Sequence, residues 1–508
     1  MTEEGSESVI RRDRFSGGPA RSFLSSMAFD QRIFAADIAI DRAHVVMLAE
    51  QGIIAEGEAG EILEALDSVV AEGFEALPDA EDVHEAIETA VIDEIGPVGG
   101  KMHTARSRND EIATCLRYQL REDLLDGISA ILTLREGLVV TASEELTTTM
   151  PGYTHLQPAQ PTTVAHWALS YESALARDTA RLLNAYERVN RSPLGAAAFA
   201  GTPFPIDRDR TAALLGFAEP MENAMDASSA RDFLVEPVAG FAMTATTLSG
   251  LAADIIIFAN RGYVELADDY ASTSSIMPQK KNPDTLELVR ATSGNAAAGL
   301  NGLLTTLKGL PRAYNRDLQR ATPHAWEALE AVVEAVDVTA GAVSTAEWQS
   351  EALGEASWEG FATATGVADL LAMHGIPFRT AHEILATVAE RAEEASGGPI
   401  QEQANAWDDE PFYLDPERAR IAIDHAAQEV LGTTTAAYVD PDELEAMLDP
   451  ENSVASRDSF GGPAPDVVRE AIGRADAHID RHASAVTDAT QSLADSADLL
   501  QTEVSRYG

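Results

Sequence analysis

Lysine is nearly missing from this chain. Only four of its 36 basic residues are lysines, against 83 Asp and Glu, and the formal net charge is −47. That balance excludes a nucleic-acid surface, which needs clustered Lys and Arg. Cysteine occurs once, as Cys115, which excludes an internal disulfide and a thiolate metal cluster. Aromatic residues are scarce and strand-like alternation is rare, so helix-on-helix packing is expected. No apolar run is expected to span a bilayer; the stretch Ile255–Phe258 is short and flanked by Asp254 and Arg261. No membrane association is expected. The start, Met1-Thr2-Glu3-Glu4-Gly5, lacks the basic-then-apolar order of a signal peptide and predicts a cytoplasmic protein. No H-E-x-x-H, Walker loop or G-x-G-x-x-G before a helix occurs, so neither a metal nor a nucleotide is expected. His478 and His482 lie four apart on a predicted helix, but beside Asp476 and Asp480 they read as a solvated face.

What is present is a large apolar fraction, 45%, which rules out disorder as the cause of the acidity. Adaptation to molar salt accounts for it. At about 1 M the Debye length is about 3 Å, so a carboxylate coat repels itself little. A halophilic source is predicted. Self-repulsion at low salt should loosen such a protein.

A chain of 508 residues is expected to hold more than one domain. Helical spacing marks residues 30–75, through Ile33, Ile38, Ile40, Val45 and Leu48 and then Ile62, Leu63, Leu66, Val69 and Val70. Five longer helical patterns follow, at about 108–148, 162–189, 227–259, 284–307 and 323–346. Ser107 to Asp110 has capping-box spacing, and Thr322-Pro323 can open the last helix. Helices of this length fit an extended bundle. Beyond Ser396-Gly397-Gly398-Pro399 the chain turns acidic, with Asp408-Asp409-Glu410 and Asp440-Pro441-Asp442. The predicted fold is all-α, divided at 1–105, 106–352 and 353–508, with an acidic insertion at about 398–450.

Four segments carry chemistry. The first runs Ser272-Thr273-Ser274-Ser275-Ile276-Met277-Pro278-Gln279-Lys280-Lys281-Asn282-Pro283-Asp284. Two of the four lysines sit in it, among hydroxyl and amide groups. It reads as a donor-rich loop feeding a helix, with Asn282 as cap and Pro283 as first residue, which is a place to hold an anion. The second is Gly100-Lys101-Met102-His103-Thr104-Ala105-Arg106-Ser107-Arg108-Asn109-Asp110, whose Arg and Asn at a helix start can present donors to a carboxylate. The third is Pro151-Gly152-Tyr153-Thr154-His155-Leu156-Gln157, a Gly- and Pro-punctuated loop that puts His155 on a bundle end. The fourth is Gly309-Leu310-Pro311-Arg312-Ala313-Tyr314-Asn315-Arg316-Asp317-Leu318-Gln319.

The first string resembles the S-S-x-M-P-x-K-x-N signature of the fumarase/aspartase superfamily. Its fuller Q-K-K-N-P-D-x-L-E-L-V-R form resembles the argininosuccinate lyases. The other three segments match that family as well. The resemblance implies a three-domain helical fold whose central five-helix bundles pack into a homotetramer, with each active site drawing loops from three chains. It implies cleavage of argininosuccinate to fumarate and arginine without a cofactor. By resemblance Ser274 is the base, His155 paired with Glu287 moves a proton, and Lys280 and Asn282 stabilise the anionic intermediate. Ser107, Arg108 and Asn109 would bind substrate carboxylates, with Thr154 alongside. Tyr314 and Gln319 would hold the amino-acid end. Ser26, Asp30 and Arg231 are further candidate contacts. The sequence departs from the pattern at Ala105 and Thr273, where relatives carry Gly, and at Thr322, where many carry Lys. The Ala105 change reads as small; Thr273 should restrain the loop. Another lyase of the superfamily fits the distal contacts less well. A non-catalytic structural protein, such as the lens crystallins of this family, fits poorly because Ser274, His155, Lys280, Asn282 and Glu287 are all intact.

Overall fold

A computed structural model describes residues 20–396 and 411–508. The N-terminal 19 residues and the Gly397–Glu410 part of the predicted acidic insertion lie outside the described residues. The described chain is helical, with a few two-stranded ladders.

After two single-turn helices, Arg21–Leu24 and Met27–Asp30, come three longer ones: α1 (Phe34–Glu50), α2 (Glu56–Glu72) and α3 (Val83–Ile95). Five long ones follow: α4 (Arg108–Glu144), α5 (Val164–Val189), α6 (Asp232–Asn260), α7 (Asp284–Leu307) and α8 (Thr322–Ser344). On α4 the buried face is Leu116, Leu120, Leu124, Ile128, Ile131, Leu134 and Leu138, spaced three or four apart. Burying each such side chain contributes about 1.5–3 kcal/mol, so packing rather than propensity holds the helix. Close crossings use glycine: a Cβ on Gly127 would lie 2.6 Å from the Phe241 ring of α6.

α6 corrects the expectation about apolar runs. By length and composition it is able to cross a membrane. α5, α7 and α8 all pack against it, burying Phe233, Leu234, Val238, Phe241, Leu248, Leu251 and Ile255. Two predicted caps also differ. α7 begins at Asp284, with Pro283 rather than Asn282 at the cap position and no side-chain cap bond. α8 begins at Thr322 itself, after Ala321.

Beyond the bundle, α9 (Ala364–Met373), α10 (Phe378–Ser396), α11 (Pro416–Leu431) and α12 (Pro441–Leu448) enclose a second core around Leu371, Ile384, Ile423 and Leu444. Much of the predicted acidic insertion is therefore packed structure. The last helix, α13 (Pro465–Val504), returns along α4 and α5 to the main core.

Helix direction sorts the loops to two ends of the bundle. The N-termini of α4, α6 and α8 and the C-terminus of α7 meet the N-terminal helices. The opposite end carries the segment between α4 and α5 and the segment between α6 and α7. With 24 residues, α7 is about 36 Å long; α8, with 23, is about 34 Å.

Candidate active site

At the first end a cavity of about 190 Å³ opens between the N-terminal helices and the bundle. Ser26, Asp30, Arg108, Asn109, Arg231, Tyr314 and Gln319 all line it. Sequence reasoning had named each of these seven, from four separated segments.

The cavity is built by short-range bonds. Ser107 caps α4 as predicted: its hydroxyl accepts from Asn109 N at 3.3 Å, and its own N–H donates to Asp110 at 3.0 Å. The second oxygen of Asp110 accepts from Gly195 N at 2.9 Å and Ala197 N at 2.8 Å, locking the 195–197 turn to the helix start. Burial pushes the Asp110 carboxyl up to about 6 against those donors. Asn109 donates to the Ala198 carbonyl, and Arg108 to Asp82 at 3.1 Å. Asp30 accepts from Ser26 at 2.7 Å and from Val83 N at 3.1 Å, and burial raises its pKa. Arg231 is buried and donates to the Ala230 carbonyl at 2.7 Å; burial lowers it to about 10. Gln319 donates to Leu24 O at 3.1 Å. Ser107 itself is not part of the cavity lining. Thr322 is, at a position read in the sequence as a departure from the family pattern.

Sequence reasoning missed His84, Asp82 and Arg316, which also line the cavity. The visible signal for the first two was the charged string Glu81-Asp82-Val83-His84-Glu85 across the start of α3. His84 is buried, and its Nδ1 meets Asp37 at 2.7 Å. Its Nε2 is buried without a hydrogen-bond partner. Burial alone would lower His84, but Asp37 and Glu111 overcome it and push it up to about 10. The cavity therefore holds an imidazolium as well as guanidinium groups, beside Asp30 and Asp82. Mixed charge of this kind suits a ligand with both carboxylate and amino ends. Behind it Asp37, Asp41 and Glu111 converge closely enough to suggest a cation site. Arg106 already fills that role, at 2.6 Å from Asp41 and 2.9 Å from Glu111, so the set fits internal counter-ions.

Ala105 is left-handed, with φ +65. The change from the family's Gly is therefore not small: a Cβ here costs about 1–2 kcal/mol. Thr273, by contrast, lies in an extended ladder, pairing with Lys281 as Ser272 pairs with Asn282, and any residue fits there.

The remaining candidates lie at the other end. Residues 149–163 form a β-hairpin, β1 (Thr149–Thr154) and β2 (Gln157–Thr163), where a loop was expected. Thr154 pairs with Gln157, so His155 and Leu156 are its two-residue turn, at φ +56 and +62. Such a turn favours Asn-Gly. Two side-chain-bearing residues there store strain and leave His155 exposed at the tip. Arg261, just past α6, stacks 5.0 Å over Tyr153 and fastens the hairpin to that end.

In the 272–283 segment the Ser274 hydroxyl oxygen accepts from two backbone amides, Ile276 N at 3.3 Å and Met277 N at 3.1 Å. Ser274 N donates to Lys280 O at 3.0 Å, closing the loop on itself. Lys281 is committed to Asp268 at 2.8 Å and Glu265 at 3.6 Å. Lys280 is exposed and makes no ion pair among the described residues. Asp284 binds Ser272 through both N–H and hydroxyl, which pins the loop to the start of α7. Glu287 is exposed one turn further on. Within the chain, the full length of α7 lies between these groups and Tyr314 and Gln319.

Residues 20–298 match the family model described as Lyase, and residues 361–455 match that described as Argininosuccinate lyase C-terminal. The argininosuccinate lyase of Haloarcula marismortui is 61% identical over 505 residues, 99% of this chain and 97% of that protein. That of Halobacterium salinarum is 59% identical over 503 residues, 99% of each. Both relatives are from halophilic archaea, in keeping with the acidic, lysine-poor composition. Among solved structures, EDDS lyase in complex with formate aligns with a TM-score of 0.82 and 32% identity, covering 96% of this chain and 95% of that one. Matched along nearly its whole length, and carrying the loop, turn and helix-start motifs in place, the chain belongs to the argininosuccinate lyase family.

Proposed function

We infer that the chain is a carbon–nitrogen lyase that cleaves argininosuccinate to fumarate and arginine, and we propose that it does so as a homotetramer with sites shared between chains. The observation that carries the assembly is the segregation of the candidate residues to opposite ends of helices about 36 Å long. An extended substrate spans roughly four residues' length, about 13 Å. A cavity from one chain and a Ser274 loop from another would therefore meet in an antiparallel packing of bundles. The surface of α7 supports this. From Ala291 to Leu307 it carries no charge, in a chain that is 23% charged, and Leu304 is 52% exposed. Leu288 and Ile276, at 73% and 86%, extend that apolar face to the loop.

In this reading Ser274 takes the proton from the carbon beside a succinate carboxylate. Serine is a weak base unless its alkoxide is stabilised. Two amides already directed at its oxygen, with the exposed Lys280 ammonium near by in sequence, supply that stabilisation. The extra charge of the aci-carboxylate falls to Lys280, Asn282 and loop amides; one such donor contributes about 2.7–4 kcal/mol. His155, with Glu287 as partner, protonates the departing guanidino nitrogen; a well-placed acid is worth about 10²–10⁴ in rate. Arg108 and Asn109 hold carboxylate, while Asp30, Tyr314 and Gln319 hold the amino-acid end. We place the domain boundaries at residues 105 and 352.

Fumarate release, followed by ultraviolet absorbance in roughly 2 M KCl, tests the reading. Argininosuccinate, adenylosuccinate, aspartate and malate are offered separately. Turnover of argininosuccinate alone is expected. Turnover of another substrate would keep the loop chemistry and overturn the distal contacts. Silence on all four from a folded oligomer would overturn the enzyme.

A further inference from the structure

Away from the candidate active site, a groove of about 670 Å³ lies between α5 and α13. Its floor is apolar, from Leu169, Val468, Ala471 and Ala475. Its walls carry Arg177 from α5 and Arg474, His478 and Arg481 from α13. In a chain with 83 acidic and 36 basic residues, this clustering runs against the composition.

Carboxylates are kept out of the groove. The one acid in its lining, Glu172, is buried and accepts from Arg135 at 2.7 and 3.1 Å, behind the wall. Among the described residues Arg177 donates to the Ser173 carbonyl alone, at 2.8 Å, with Asp178 near enough to feel its charge, and Arg481 makes no ion pair. Arg474 has a loose contact with Glu470, at 3.7 Å, and stacks 5.0 Å over Phe460, an 88% exposed ring at the rim. Arg135 also donates to His482 Nδ1 at 2.9 Å. A guanidinium can only donate, so Nδ1 accepts and the proton of neutral His482 sits on Nε2. Burial and Arg135 lower the pKa of His482 and keep it neutral. His166 is fully used, between Gly461 O at 3.0 Å and Thr162 at 2.9 Å. With that ring committed and arginines around it, the groove repels a metal ion.

We propose that this groove binds a small organic dianion with an apolar body, a dicarboxylate or a phosphate monoester, at a site separate from the proposed reaction. Arg177 and Arg481 grip the charged groups from opposite walls, and the floor takes the carbon skeleton. Planar guanidinium forks suit both anions. The volume is in the usual range for small-molecule sites, about 300–1,000 Å³. In molar salt only direct contacts survive screening, so a fork at contact distance above an apolar floor is what such a site requires.

The test is calorimetric titration of the full chain in 2 M KCl with phenyl phosphate, phthalate and, as control, benzylammonium. At least one dianion is expected to bind with millimolar affinity or better, and the cation not at all. The preferred dianion identifies the charged group. Arg177→Ala with Arg481→Ala should weaken binding at least tenfold, with an intermediate loss for the paired Lys variants. Arg481→Gln alone, on an exposed helix face, covers the case in which the double variant does not fold. Arg108→Ala should leave the affinity unchanged. No binding of either dianion would overturn the proposal, as would binding lost in Arg108→Ala but kept in the groove variants. A change in oligomer mass on Arg481→Gln would also overturn it, by making the groove an interface between copies.

Discussion

Mixing two inactive variants tests the division of the site most directly. Arg108→Ala removes a cation from the cavity at one end of the bundle. Ser274→Ala removes the proposed base at the other. Either chain alone should be nearly inactive: losing a charge-assisted contact to a carboxylate costs about 1.5–3 kcal/mol, and losing the base costs more. Within one chain the two positions sit at opposite ends of a bundle whose α7 is about 36 Å long, beyond the reach of a substrate about 13 Å long. A site that takes its cavity from one chain and its Ser274 loop from another is intact only when the first chain is the Ser274 variant and the second the Arg108 variant. With equal, random mixing each condition is met half the time, so about one quarter of sites in the closed oligomer should be complete. The assay is fumarate release after co-refolding from denaturant in 2 M KCl, with native mass spectrometry to verify mixed oligomers. Recovery towards a quarter of wild-type activity is expected. Recovery near zero in verified mixed oligomers would mean that each site is drawn from one chain, and would refute the reading of the helix lengths.

Other outcomes follow from single observations. Ala105→Gly relieves a left-handed Cβ and should stabilise the chain by roughly 0.5–1 kcal/mol after the greater freedom of unfolded Gly is counted, read from the denaturation midpoint. Asp110→Ala leaves the Ser107, Gly195 and Ala197 amides without their acceptor and should cost about 3 kcal/mol or more; an unchanged midpoint would discount the lock. Asp37→Asn removes the partner that holds His84 at about 10, so KM should begin to rise at a lower pH than in wild type, while kcat changes less. The raised pKa also ties stability to pH: His84 adds stability that is fully present below its unfolded pKa and is lost as pH rises through about 10. Lowering KCl below about 0.5 M should lower the melting temperature through self-repulsion of the carboxylate coat, and an acidic chain indifferent to salt would contradict the halophilic reading.

Much of this protein was determined by sequence alone. Apolar residues three and four apart marked each bundle helix, because helix faces are set by local geometry. Ser107 to Asp110 marked a cap that depends only on neighbouring residues, and the two lysines in the Ser274 segment marked the candidate loop. The caps that depend on tertiary partners escaped it: Asp284 is drawn to Ser272, so Asn282 never caps α7. So did the hairpin under His155, whose turn residues are poor formers held by packing against Arg261. Lys280 and Lys281 are indistinguishable as letters; only the position of Asp268 and Glu265 decides that the second is spent, while the first makes no ion pair among the described residues. His84 became a cavity cation through Asp37, 47 residues away in the chain. The separation of candidate groups to opposite ends of the bundle exists only in three dimensions. Segment chemistry is local and can be read along the chain; charge pairing, strain and distance are set by what packs against what.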